Sequence, residues 1–160
     1  MLKFSMMRIV FLFMFFTCAM RPGIAFEIRP FSTDFCTNFP EGTRARPDLW
    51  KDCCLIHDLY FWAGGSLTDR NAADVKLRLC VEKTGATATA RIMYWAVRAG
   101  SLSPIKYPDK RWGNGWEGRK IHLPLTYDEM DRINYELGQT AFIPAFIRKE
   151  FIRDLYSRLD

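Results

Sequence analysis

The run Cys53-Cys54-Leu55-Ile56-His57-Asp58 brings a proton acceptor, a carboxylate and two thiols together within one short stretch. A histidine changes charge near neutral pH, and when one ring nitrogen is held by a carboxylate the other can take a proton from water. On a helix, Cys53 and His57 lie one turn apart on the same face, while Asp58 is rotated by about 100° from His57 and meets other neighbours. The carboxylate that holds His57 must therefore come from another segment, and Asp74 is the candidate. Asp58, turned toward a loop of backbone carbonyls, offers the hard oxygen environment that calcium prefers. Calcium there would stabilise negative charge on a developing oxyanion. No serine nucleophile of the G-x-S-x-G kind competes with this chemistry, and His122 has no partner pattern that would assign it a role.

The elements that must position these groups are helices. Residues 26–46 lack sustained periodicity and read as an extended segment and loop. Pro47 can open a helix over 48–63, in which Leu49, Cys53, Ile56, Tyr60 and Ala63 recur at helical steps. Gly64-Gly65 ends it. Ser66-Leu67-Thr68-Asp69 is a capping signal for a returning helix that carries Ala73, Leu77, Cys80 and Val81 and ends near Gly85. In such a hairpin His57 and Asp74 are each about 10 Å from the turn and can face each other. A third helix fits 86–99, with Ile92, Trp95, Val97 and Ala99. After a loop-rich stretch over 100–126, Thr126 can cap a helix through Leu137 and Pro144 can open a last one to Tyr156. No stretch alternates strictly enough for a half-buried strand, so the expected fold is a single all-α domain. Trp112-Gly113-Asn114-Gly115-Trp116 reads either as a membrane-facing loop or as a turn pinned by two buried indoles. The stripe Ile143, Ile147, Phe151 and Leu155, opposite Arg148, Lys149 and Arg153, suits either core packing or an interfacial surface, with core packing favoured.

The first 25 residues have the order of a secretory signal peptide: Lys3 and Arg8, an apolar run of about 12 residues, then Gly23-Ile24-Ala25. That run is short for roughly 30 Å of hydrocarbon. The expected location is secreted or periplasmic, with the folded part spanning 26–160. The chain of 160 residues has 23 Lys+Arg and 18 Asp+Glu; loss of Lys3, Arg8 and Arg21 would leave 20 against 18, a net of +2. Such a balance does not point to a nucleic-acid binder. Four cysteines would remain, Cys36, Cys53, Cys54 and Cys80, an even number that reads as two disulfides in an exported chain. A zinc site is the other reading, but no C-x-x-C spacing occurs. A vicinal Cys53–Cys54 bridge is sterically disfavoured, which leaves two pairings. The face shared by Cys53 and His57 favours Cys53–Cys80 with Cys36–Cys54.

Cys53-Cys54-x-x-His57-Asp58 resembles the active-site helix motif of the secreted phospholipases A2. Asp74 followed six residues later by Cys80 is similar to that family's second helix, which supports the histidine and bonds the first cysteine of the pair. The resemblance covers residues 35–83 and leaves a C-terminal helical extension over 100–160 outside it. It implies a phospholipase A2-like fold of two disulfide-linked antiparallel active-site helices with additional C-terminal helices. It also implies His57 as base, Asp74 as its orienting partner, and a calcium ion held by Asp58 and the carbonyls of Phe35, Thr37 and Phe39. The disulfides it implies are Cys36–Cys54 and Cys53–Cys80. The implied activity is release of the sn-2 fatty acid at a phospholipid membrane surface. The chain departs from the animal pattern at Tyr60 and Ala73, which stand where two further cysteines pair. Phe61 stands where a tyrosine serves the aspartate, so a hydroxyl on Asp74 is either missing or supplied by Tyr60. The loop Thr37-Asn38-Phe39-Pro40-Glu41-Gly42-Thr43 lacks the usual glycines, and the compact Gly64-Gly65 turn is closer to bacterial members. A non-catalytic binding or toxin-like module on the same scaffold is the second class of function these departures would allow.

Overall fold

The computed structural model describes residues 26–102 and 110–158, so the expected signal segment over 1–25 lies outside the described residues. Five helices follow one another: α1 (Lys51–Ala63), α2 (Leu67–Lys83), α3 (Thr87–Leu102), α4 (Tyr127–Gln139) and α5 (Ala145–Tyr156). Apart from two isolated bridges, Ile28 with Trp116 and Ser66 with His122, no extended pairing occurs among the described residues. The all-α reading of the sequence is therefore correct. No helix among the described residues is long and apolar enough to cross a membrane.

Helix α1 begins later than Pro47 suggested. The amide of Trp50 donates to Glu41 O at 2.9 Å and its indole donates to Pro40 O at 2.6 Å, which draws residues 47–50 into the loop and away from helical pairing. A close approach at Gly42 makes this possible: a Cβ there would lie 2.0 Å from Arg46 O. The other helix starts follow their local signals. Ser66 and Asp69 form a reciprocal capping box on α2, as Thr126 and Glu129 do on α4.

The C-terminal end of α1 is satisfied by the 112–116 turn. A helix leaves its last carbonyls without intrahelical donors. Here Phe61 O accepts from the Gly113 amide at 2.6 Å, Trp62 O from the Gly115 amide at 3.1 Å and Ala63 O from the Trp116 indole at 2.7 Å. The Trp112 indole donates to Gly65 O at 2.8 Å. Both indoles are buried, so the turn is the one pinned by two buried indoles. Gly64, with φ 75°, is required on two counts: its backbone is left-handed, and a Cβ would lie 2.9 Å from Gly113 Cα.

Two apolar clusters form the interior. The larger joins Leu55, Leu59 and Trp62 of α1 to Met130, Ile133 and Leu137 of α4 and to Ile147, Phe151 and Leu155 of α5. The stripe on the last helix is thus core. The smaller surrounds the cysteines with Trp50, Leu77, Val81, Ala90 and Met93. Helix α3 turns a different face inward from the one its larger apolar residues suggested: Ala90 and Met93 are buried, while Ile92 and Trp95 are 60% and 68% exposed. Ala90 and Met93 pack there against Leu77 and Val81 of α2.

Candidate active site

Helix α1 is stapled twice near the open end of its antiparallel pair with α2. Cys53 bonds Cys80 across the hairpin, and Cys54 bonds Cys36 in the loop before α1. These are the pairings favoured by the face argument and implied by the family resemblance. Adjacent residues on a helix point about 100° apart, so one helix can be tied to two segments.

One helical turn beyond Cys53, His57 Nε2 lies 3.0 Å from Asp74 Oδ1. His57 is 8% exposed and Asp74 is fully buried. A buried carboxylate is tolerated only when paired and hydrogen-bonded, and here both oxygens are engaged. Oδ1 meets the imidazole, and Oδ2 accepts from Arg98 Nη1 of α3 at 3.3 Å. The same guanidinium nitrogen donates to Asn71 Oδ1, one turn before Asp74 on α2. A carboxylate oxygen accepts, so Nε2–H is the donor to Asp74, and in the neutral ring this leaves the lone pair on Nδ1. Phe61, one turn further along α1, sets its ring 4.5 Å from the imidazole.

The second partner of Asp74 is therefore Arg98. Tyr60, which stood as the nearest available hydroxyl, turns the other way: its hydroxyl donates to Asp154 Oδ2 at 2.9 Å and accepts from Lys76 Nζ at 3.0 Å. No local pattern in the sequence marked Arg98, because it reaches Asp74 only through the packing of α3 on α2.

Asp58 faces the loop before α1, and Thr33 Oγ1 donates to its Oδ2 at 2.5 Å. Burial pushes the Asp58 carboxyl up to about 6, with the Thr33 bond and the nearby cationic side chains pulling the other way. The Thr33 hydroxyl also accepts from the Phe35 amide at 2.8 Å, so it ties the carboxylate to the loop backbone. Phe35, Thr37 and Asn38 have φ of 57°, 31° and 58°. Left-handed backbone costs a non-glycine residue about 1–2 kcal/mol, and a run of such residues marks a loop held in shape by its surroundings. The Cys36–Cys54 bond and the bond from the Phe39 amide to Cys36 O, at 3.2 Å, supply part of that restraint. Phe35, Thr37 and Asn38 thus adopt conformations ordinarily given to glycine.

Lys110 also reaches this loop. It pairs with Asp34 and donates to Thr37 Oγ1 at 3.2 Å. Burial pulls the Asp34 carboxyl upward, but hydrogen bonds from Lys110 and Thr37 hold it below the usual range. No cluster of three or more His, Cys, Asp or Glu side chains suited to a metal occurs among the described residues. His122 lies outside the site, beside the start of α2, with Nδ1 buried and unpartnered. The chain matches no family model, no curated protein and no solved structure.

Proposed function

We propose that the chain is an exported phospholipase A2 that acts at a phospholipid membrane surface, with His57 as general base and Asp74 as its orienting partner. The observation that carries this reading is the 3.0 Å bond from a nearly buried imidazole to a fully buried carboxylate, across two helices joined by a disulfide. A base so held accepts the proton of a water on Nδ1 as the water oxygen attacks the sn-2 ester carbonyl. Asp74 stabilises the imidazolium that forms. The imidazolium then returns the proton to the departing glycerol oxygen, so the products are a free fatty acid and a lysophospholipid and the base is regenerated.

Asp58 and the carbonyls of Phe35, Thr37 and Phe39 would hold calcium. A carboxylate facing a loop of backbone carbonyls offers the hard oxygen donors that calcium takes. Bound there, calcium would supply electrostatic stabilisation of the oxyanion. Thr33 would keep Asp58 in register with the loop.

The second reading, a non-catalytic binding module, draws on Lys110. Its ammonium already neutralises Asp34 at this loop and lies within electrostatic reach of Asp58. The experiment that separates the two is fatty-acid release from phospholipid vesicles, with and without a calcium chelator, on wild type and His57→Gln. The enzyme reading expects calcium-dependent release that His57→Gln lowers by at least about 10²–10⁴-fold with helix content unchanged. Vesicle binding with no release under any calcium condition would establish the module instead.

A further inference from the structure

We infer that Arg98 is a positioning residue for the His57–Asp74 pair, holding the buried carboxylate in the orientation that selects the imidazole tautomer. The inference rests on the proposed role of His57 as base, but its central test does not require turnover.

The argument begins with a deficit. Asp74 is fully buried, and a carboxylate there has more acceptor capacity than one imidazole N–H can fill. The α1 residues near it bring no hydroxyl: Phe61 has none, and Tyr60 is committed to Asp154 and Lys76. The remaining oxygen is taken by a group from a third helix, Arg98 Nη1 at 3.3 Å, which is itself fixed by Asn71. Arg98 is about one-third exposed, so its charge is partly hydrated while its donor reaches a buried acceptor. With Oδ2 anchored on α3, Oδ1 is directed at His57. Without that anchor the carboxylate can rotate, the Nε2–H tautomer loses its preference, and a larger share of the base carries its proton on the nitrogen that should receive one. The guanidinium also places a positive charge beside the second Asp74 oxygen, at 3.3 Å.

The test uses the purified protein, whose two histidines make ring assignment simple. Long-range proton–nitrogen NMR at a pH where both rings are neutral reads the His57 tautomer directly. Wild type should show the Nε2–H form as the dominant species. Arg98→Met keeps the apolar stem and removes the donor; it should raise the Nδ1–H share severalfold and lower kcat roughly tenfold, the lower end of what loss of an outer hydrogen-bond partner costs. Its KM should be unchanged. Arg98→Lys should recover most of both. A purely structural role for Arg98 would lower Tm but leave the tautomer ratio and the kcat of folded protein at wild-type values, and that result overturns the inference. Should Arg98→Met fail to fold, Asn71→Ala carries the test: Asn71 is exposed, so its loss frees Arg98 with little other effect. An unchanged tautomer ratio in that variant would likewise refute the role. If wild type proves inert on phospholipid, the proposed activity fails, yet the tautomer shift still decides whether Arg98 orients the pair.

Discussion

At the residue scale, the two neighbours His57 and Asp58 are handled in opposite ways. His57 is coupled inward to a carboxylate that has no contact with solvent, whereas Asp58 is turned toward a strained loop. Asp74→Asn should reduce fatty-acid release less than His57→Gln does, since it removes orientation and charge stabilisation but leaves the imidazole; initial rates on vesicles compare the two. For Asp58 the signs can be worked out. Its folded value of about 6 stands above the ordinary 3.8, so the folded state holds the proton more tightly. That contribution is complete below pH 3.8 and is lost as pH rises through 6. At pH 8 without calcium the ionised carboxylate is therefore a burden of at most about 3 kcal/mol. Asp58→Asn, which can still accept from Thr33, should raise Tm in chelator at pH 8 and abolish calcium-dependent activity. A variant that unfolds earlier than wild type under those conditions would contradict the burial argument.

The element scale is dominated by how α1 ends. Its last carbonyls are bonded by the Gly113 and Gly115 amides and the Trp116 indole, which lie about fifty residues further along the chain. Trp116→Phe retains most of the buried ring but removes the donor to Ala63 O. Leaving a buried acceptor unsatisfied costs about 1–3 kcal/mol, so the unfolding free energy from urea titration should fall by that amount, seen as a lower midpoint with the slope unchanged. The same turn packs against the helix that carries His57, and a loosened end is also expected to lower kcat. Where the cysteines are concerned, non-reducing digestion should yield peptides linking Cys36 to Cys54 and Cys53 to Cys80. Each bond should stabilise the fold by about 2–4 kcal/mol, read from denaturation with and without reductant.

At the scale of the whole molecule, the C-terminal helix is tied to α1 and α2 by a charged knot. Asp154 of α5 accepts from Tyr60 of α1, from Lys76 of α2 and, at 2.7 Å, from Arg158. Burial pulls the Asp154 carboxyl upward, but hydrogen bonds from Lys76, Arg158 and Tyr60 together hold it below the ordinary 3.8. A lowered carboxylate contributes stability that is present above pH 3.8 and disappears as pH falls through the lower folded value. Below pH 4 wild type should therefore lose an increment of stability that Asp154→Asn has already lost at neutral pH. Denaturation curves of the two proteins should converge toward acid; parallel curves from pH 7 to 3 would show that the knot contributes nothing. The knot also gives the segment beyond the family resemblance a structural task, since it fixes α5 against the outer face of α1 and α2.

Much of this arrangement was present in local sequence. Helical spacing, the Ser66–Asp69 capping signal and the Gly64-Gly65 stop defined the hairpin, and the positions of His57, Asp74, Cys53 and Cys80 along its legs determined that they would meet, because helix geometry converts residue number into distance. The apolar stripe of α5 likewise identified its buried face. Other features were decided only by tertiary packing. Arg98 reaches Asp74 from a third helix, Lys110 reaches Asp34 from beyond the last residue of α3, and Tyr60 prefers Asp154 to Asp74 because the returning α5 offers a part-buried carboxylate on that side. The late start of α1 belongs here too, since the Trp50 amide and indole bond to Glu41 and Pro40 of the preceding loop in place of extending the helix. Backbone periodicity is a property of neighbours in sequence. The partner of a buried polar group is whichever donor the folded chain brings within about 3 Å, and no local pattern encodes that choice.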